Sequence, residues 1–325
     1  MTVFMKFRDD LRKFFSKHAG LLERLVRGLV WFVSAMLVDT YMGYAEIPGS
    51  PLVAAGMAVF LAFIPYSAGS LVFIVFILIQ LFSVNLSTGL TGLLVFLFCY
   101  IICGIYRSRR PEYLALMPIT YRLGFPFAIP LFSALFGRGR DAGAVVCGCI
   151  TTWYMKSVVE NYALITDKTN PLSPTQLLSQ NMILNPMFYC FMGAAAAMFL
   201  VAYTVRMQPI AYAWQIGAIS GTVVEFAIML AADLFFDHRA DIPALVGSNA
   251  VIMVAALVAS FMLRDFDFHR TERLRFEDDE YYYFVTAVPK IRLASEKNEV
   301  KTITGEEGTG ANETKAAGDA KGAAQ

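Results

Sequence analysis

The sequence predicts an all-α integral membrane protein of about eight transmembrane helices, with one re-entrant or broken element and a short cytoplasmic β-type segment. Three observations lead there. Of 325 residues, 57% are hydrophobic and only 16% are charged, against roughly 25% charged in a soluble domain. The apolar residues fall into long runs separated by short polar breaks. The basic residues collect at alternate breaks, the distribution that sets orientation in a bilayer.

Residues 1–24 make a basic arm. Phe4, Phe7, Leu11, Phe14 and His18 recur at intervals of three and four, with Lys6, Arg8, Arg12, Lys13 and Lys17 between them. That pattern suits a helix lying in the headgroup layer, and an ordinary basic juxtamembrane tail shares the composition. The arm is too charged for a cleavable leader, so the first apolar run is expected to act as a retained anchor.

Apolar segments follow at 25–44, 51–65, 69–84, 88–106, 112–136, 142–164, 183–205, 211–236 and 243–263, giving a transmembrane domain over 25–263. The stretch 51–84 is too long for one helix. Its break at "PYSAGS" predicts two short helices with a turn over Pro65–Ser70.

The fifth segment, "EYLALMPITYRLGFPFAIPLFSALF", holds Pro118, Gly124, Pro126 and Pro130, with Arg122 at its middle. Proline removes a helix hydrogen bond and crowds the preceding turn. The segment reads as a broken span or as a re-entrant pair of half-helices over 112–136. The positive-inside rule favours the second. If 112–136 dips in and returns, the arm, "RSRR" at 107–110, "GRGR" at 137–140, Arg206 and the arginines from Arg264 to Arg275 share one side. The opposite breaks then hold only Lys168 and Arg239. Both termini are accordingly expected in the cytoplasm.

The external loop is expected at 165–182, "ITDKTNPLSPTQLLSQNM", where Asn170-Pro171 and Ser173-Pro174 are turn signals and "SPTQLLSQ" allows a turn or two of helix. Residues 294–325 have almost nothing apolar to bury and are expected to be disordered.

Several classes lose support. A net charge of +1 gives nucleic acid no electrostatic hold. Cys99, Cys103, Cys147, Cys149 and Cys190 lie in apolar runs with no CxxC spacing, against a disulfide framework or a zinc site. His18, His238 and His269 are far apart. No metal or other cofactor is expected. HExxH, GxSxG, Walker and paired-aspartate patterns are absent, so no catalytic residue is nominated and a non-enzymatic role is expected.

Ionisable groups inside spans are costly and are functional candidates by default. Asp39, Arg122, Lys156, Glu160, Glu225 and Asp233 make up this set. Lys156 and Glu160 are spaced for an i,i+4 ion pair. Glu225 sits mid-segment, four residues beyond Gly221 and eight beyond Gly217, and that small-xxx-small pair permits close helix approach. One reading is a polar cavity in which Arg122 and Lys156 attract an anion while Glu225 titrates, as in transporters with broken helices. The other is that Glu225 pairs with Arg122 or Lys156 only to hold helices together.

Past the last span, 264–293 is a juxtamembrane segment containing "RFEDDEYYYFVTAVPK". Glu277, Asp278, Asp279 and Glu280 precede Tyr281, Tyr282 and Tyr283, and the run through Val285 alternates with period two as a strand does. A lone strand needs a partner, so 276–289 is expected to dock a cytoplasmic protein or a second copy of the chain by strand addition. Tyrosine phosphorylation and an interfacial aromatic belt are the alternatives. The acids argue against the belt, because the inner leaflet is itself anionic.

"PEYLALMPITYRLGFPFAIPLFSALFG" followed by "RFEDDEYYYFVTAVPK" resembles an uncharacterised family of bacterial polytopic membrane proteins, over most of residues 20–293. The resemblance implies the bacterial inner membrane and carries no activity and no functional residues. Two functions stay open: a non-enzymatic membrane scaffold that docks a cytoplasmic partner through its tail, which the sequence favours, and a transporter or channel-like protein for a small solute or ion with a polar site at Arg122, Lys156 and Glu225.

Overall fold

A computed structural model describes residues 18–42, 51–108, 110–167, 173–210, 212–236 and 242–263, and two strands, 272–277 and 282–287. The amphipathic arm, Asp278, Asp279, Glu280, Tyr281 and the tail 294–325 lie outside the described residues.

The described chain is a helical bundle in the order α1 (Ala19–Met42), α2 (Pro51–Ala62), α3 (Tyr66–Val84), α4 (Leu86–Ile105), α5 (Tyr113–Arg122), α6 (Ala128–Phe136), α7 (Ala142–Glu160), α8 (Tyr162–Thr166), α9 (Pro174–Ile183), α10 (Pro186–Arg206), α11 (Ala213–Phe236) and α12 (Ile242–Leu263). Among the described residues six helices are long and apolar enough to cross a membrane: α3, α4, α7, α10, α11 and α12. This is the architecture of a multi-pass membrane protein. Helix α1 has 24 residues and carries Glu23, Arg24, Arg27 and Asp39; α2 is apolar but has 12 residues. A stripe of Leu90, Leu94, Leu97, Phe98 and Ile101 on α4 is exposed, a surface suited to lipid rather than to water.

Helix α7 is the hub, with 67% of its apolar window buried against 17% for α12. Its Cys147, Tyr154 and Val158 join one core with α1, α3 and α4. Its Val145, Cys149 and Trp153 join a second with α6, α10 and α11. The Tyr154 hydroxyl donates to the Thr88 carbonyl at 2.6 Å and the Trp153 indole to the Asn181 carbonyl at 3.0 Å, so the hub is fixed by polar contacts that apolar packing alone would not specify.

The turn between α2 and α3 falls at residues 63–65, earlier than the expected Pro65–Ser70, because Pro65 serves as the extended N-cap of α3 and the helix resumes at Tyr66. Ser173 and Gln176 form a reciprocal capping box, which extends "SPTQLLSQ" into the ten-residue helix α9.

Helices α5 and α6 form a hairpin whose two ends meet. The Ser108 hydroxyl donates to Asp141 Oδ1 at 3.0 Å, and a side chain on Gly143 would start 3.1 Å from the Tyr106 ring. The chain thus leaves α4 and begins α7 from the same place. Pro118 lies inside α5. Having no N–H, it leaves the Leu114 carbonyl without a helical donor, and the Thr151 hydroxyl of α7 donates to that carbonyl at 2.8 Å. Pro118 therefore does not end its helix, because a neighbouring helix replaces the lost bond. The reversal comes at Gly124, whose φ of +82° is open to glycine at no steric cost. At the other end Arg206 donates to the carbonyls of Leu135 and Gly137, capping the C-terminus of α6 with a cation.

In the tail, Glu272–Glu277 (β1) and Tyr282–Ala287 (β2) pair antiparallel, with Leu274 opposite Val285 and Phe276 opposite Tyr283. The expected partner of the tyrosine strand was another polypeptide. Here its neighbour is the chain's own "ERLRFE", an alternating stretch hidden in the sequence by its charged residues.

Candidate functional site

A cavity of about 420 Å³ lies at the tip of the α5–α6 hairpin. Tyr121, Arg122, Gly124 and Pro126 line it from the tip, Lys156 from α7, Met187 from α10, Met229 from α11, and Leu245 and Ser248 from α12. Arg122 and Lys156 are thus brought to one cavity from separate helices. Each is held by aromatic faces: the Arg122 guanidinium lies 5.1 Å from the Tyr41 ring centroid, and Lys156 Nζ lies 4.2 Å from Trp153 and 5.7 Å from Tyr121. Cation–π contacts of this kind hold a charge without neutralising it. Glu160 stands 3.7 Å from Lys156 but is 60% exposed, so the pair contributes little and leaves Lys156 cationic character to the cavity.

Glu225 is elsewhere. It is fully buried and accepts a hydrogen bond from Asn249 Nδ2 at 2.7 Å. Its other oxygen, and Asn249 Oδ1, have no donor among the described residues. Neither residue lines the cavity, but Met229 and Leu245, one helical turn away on α11 and α12, do. The carboxylate therefore sits about one turn beneath the cavity, apart from Arg122 and Lys156. Gly217 and Gly221 face α10: an added side chain would meet the Ala202 carbonyl at 3.0 Å and Ala202 Cβ at 2.9 Å respectively. A spacing of four residues advances about 40° around a helix. Across 217, 221 and 225 that drift turns Glu225 from the α10 contact toward α12.

Asp39 accepts from Gln80 Nε2 at 2.9 Å and Asp233 is half-buried two turns beyond Glu225; neither lines the cavity. Sequence reasoning missed Gln80 and Asn249. Each is the single amide in an otherwise apolar helix, and that isolation was the available signal.

At the hairpin's base is a second cavity, of about 510 Å³, lined by Arg27, Arg107, Arg110, Arg138 and Arg140, with Glu23, Glu112 and Asp141. Glu112 is 4% exposed and pairs with Arg110 at 3.4 Å. Burial raises its carboxyl above the usual range, with its own backbone amide and Arg110 opposing. These arginines had been read only as topology markers.

Among the described residues no cluster of histidine, cysteine and carboxylate side chains suits a metal ion. No family model, curated protein or solved structure matches this chain.

Proposed function

We propose that the chain is a transport-type membrane protein for a small anion, with the hairpin 112–136 as a re-entrant barrier between a basic vestibule at its base and a largely apolar one at its tip that carries Arg122 and Lys156. The observation that carries this reading is the pair of cavities at opposite ends of one hairpin. Base residues Arg110, Glu112, Phe136 and Gly137 line one; tip residues Tyr121, Arg122, Gly124 and Pro126 line the other. Helices α5 and α7 run side by side in the same direction, since Leu114 meets Thr151 and Tyr121 meets Lys156. The cavities are therefore separated along the bundle by roughly the 15 Å length of a ten-residue helix, about half a bilayer core. Arg122 and Lys156 attract the anion, and the Glu225–Asn249 pair lies about one turn beneath, behind Met229 and Leu245.

In this reading α1 and α2 cross together with the six longer helices, giving eight crossings. Both termini and the basic base cavity face the cytoplasm in this reading, and the resemblance to bacterial polytopic proteins is what supports an inner membrane. The test is charge displacement by the reconstituted protein on a solid-supported membrane, challenged with chloride, phosphate, acetate, lactate and citrate. At least one anion should give a current that Lys156→Gln and Arg122→Gln abolish. Absence of any current sensitive to both substitutions rejects the reading.

The scaffold reading rested on a tail strand without a partner, and the intrachain pairing of β1 with β2 weakens that ground. One observation still favours tail docking. A two-stranded sheet is marginal in water, so its open edges suit a third strand from a cytoplasmic protein or a second copy, through 276–289. Deleting 271–291 should then reduce the size of the detergent-solubilised particle in light scattering; an unchanged size counts against self-docking.

A further inference from the structure

The base cavity carries a second assignment, independent of the transport reading. We propose that it binds a phosphate group, borne either by an anionic lipid of the adjoining leaflet or by a free phosphorylated solute.

Charge comes first. Five arginines meet three carboxylates at this cavity, and the carboxylates are already committed. Glu23 bonds Arg27, Glu112 pairs with Arg110, and Asp141 accepts from the Ser108 hydroxyl and, at 2.8 Å, from the Arg138 backbone N–H. Arg107, Arg138 and Arg140 line the cavity with no ion-pair partner among the described residues. Planar guanidinium forks match phosphate oxygens in pairs.

Rigidity comes second. The two basic turns are stitched together through Ser108 and Asp141, and Asp141 is 4% exposed. Gly137 packs where an added side chain would start 2.8 Å from Asp141 Oδ2. Turns held in this way fix where the arginine side chains start, which lowers the cost of ordering them when an anion arrives.

Backbone conformation comes third. Helix α4 ends in a Schellman motif: the Ser108 N–H donates to the Cys103 carbonyl and the Arg107 N–H to the Gly104 carbonyl, both at 3.0 Å. The left-handed position of that motif, normally glycine, is Arg107 with φ +49°. A strained arginine at the lip of a basic cavity accepts a backbone cost that glycine would avoid, which points to a role for its side chain. Arginines that serve only to hold this end of the bundle at a cytoplasmic surface need neither a shared cavity nor a left-handed residue.

The experiment uses the full chain in detergent and follows its melting temperature against inorganic phosphate, dioctanoyl phosphatidic acid and dioctanoyl phosphatidylcholine at constant ionic strength. Saturable stabilisation by phosphatidic acid alone assigns a lipid source; saturable stabilisation by inorganic phosphate assigns a free one. Arg107→Gly relieves the left-handed strain, so it should melt no lower than wild type while its half-saturating concentration rises about ten-fold or more, the loss of a charge-assisted bond. Arg138→Gln should weaken binding likewise, whereas Arg24→Gln, on the apolar groove beside Phe63, should not. The proposal is overturned if neither phosphate ligand stabilises the protein beyond phosphatidylcholine and salt, or if stabilisation is unchanged in both Arg107→Gly and Arg138→Gln.

Discussion

Glu225 is fully buried and accepts a hydrogen bond from Asn249. A buried acceptor that loses its donor costs about 1–3 kcal/mol, and more if charged. Asn249→Leu strips the donor and leaves the carboxyl in place, so it should lower the melting temperature in detergent clearly. Glu225→Gln keeps a polar group of the same shape opposite the amide and should cost less than half as much. Equal loss in the two variants would mean that the pair contributes nothing beyond packing. The burden of burying Glu225 was legible from its position in an apolar run. Its partner was not, because a helix pattern says which face a residue occupies and not which neighbour faces it. The pairing of Asp39 with Gln80 was hidden for the same reason. Arg107 was equally opaque, since a left-handed residue costs about 1–2 kcal/mol without leaving a mark in the sequence.

The helical elements reflect how cheaply local signals can be overridden. Proline and glycine marked 112–136 as broken, and the break is there, at Gly124 between α5 and α6. Pro118 did not end its helix, because Thr151 supplies the missing donor to Leu114 at 2.8 Å. That compensation makes a quantitative prediction. Thr151→Val preserves shape but orphans the carbonyl, and should cost about 1–3 kcal/mol. In a Pro118→Ala background the restored N–H serves the carbonyl, and Thr151→Val should become nearly neutral. Thermal unfolding of the four proteins of this double-mutant cycle measures the coupling; a cost for Thr151→Val that is the same in both backgrounds would show that the hydroxyl acts elsewhere. The tail was legible as strand from the alternation over 281–288. Its pairing with Glu272–Glu277 was not, because four of those six residues are charged and mask the period-two pattern.

At the scale of the molecule, the apolar runs gave the bundle and the basic breaks suggested its orientation. Among the described residues six helices are long and apolar enough to cross a membrane, against the eight expected from segment lengths; α1 carries charges and α2 is short. What composition could not supply was the gathering of five arginines at one cavity and of Arg122 with Lys156 at another. Those clusters arise only when separate helices are brought together around α7.

In the proposed transporter 112–136 enters and leaves on one side, separating two vestibules that open oppositely. Single cysteines at Arg140, Gln208 and Ser248, in a background with Cys190 replaced by alanine, test it directly. Cys99, Cys103, Cys147 and Cys149 are buried and should not react. A membrane-impermeant thiol reagent is applied to right-side-out and inside-out vesicles. Modification of the Arg140 and Gln208 positions only in inside-out vesicles, and of the Ser248 position only in right-side-out vesicles, is the predicted result. Modification of the Arg140 position from the same side as the Ser248 position would mean that the segment crosses fully, and would contradict the account.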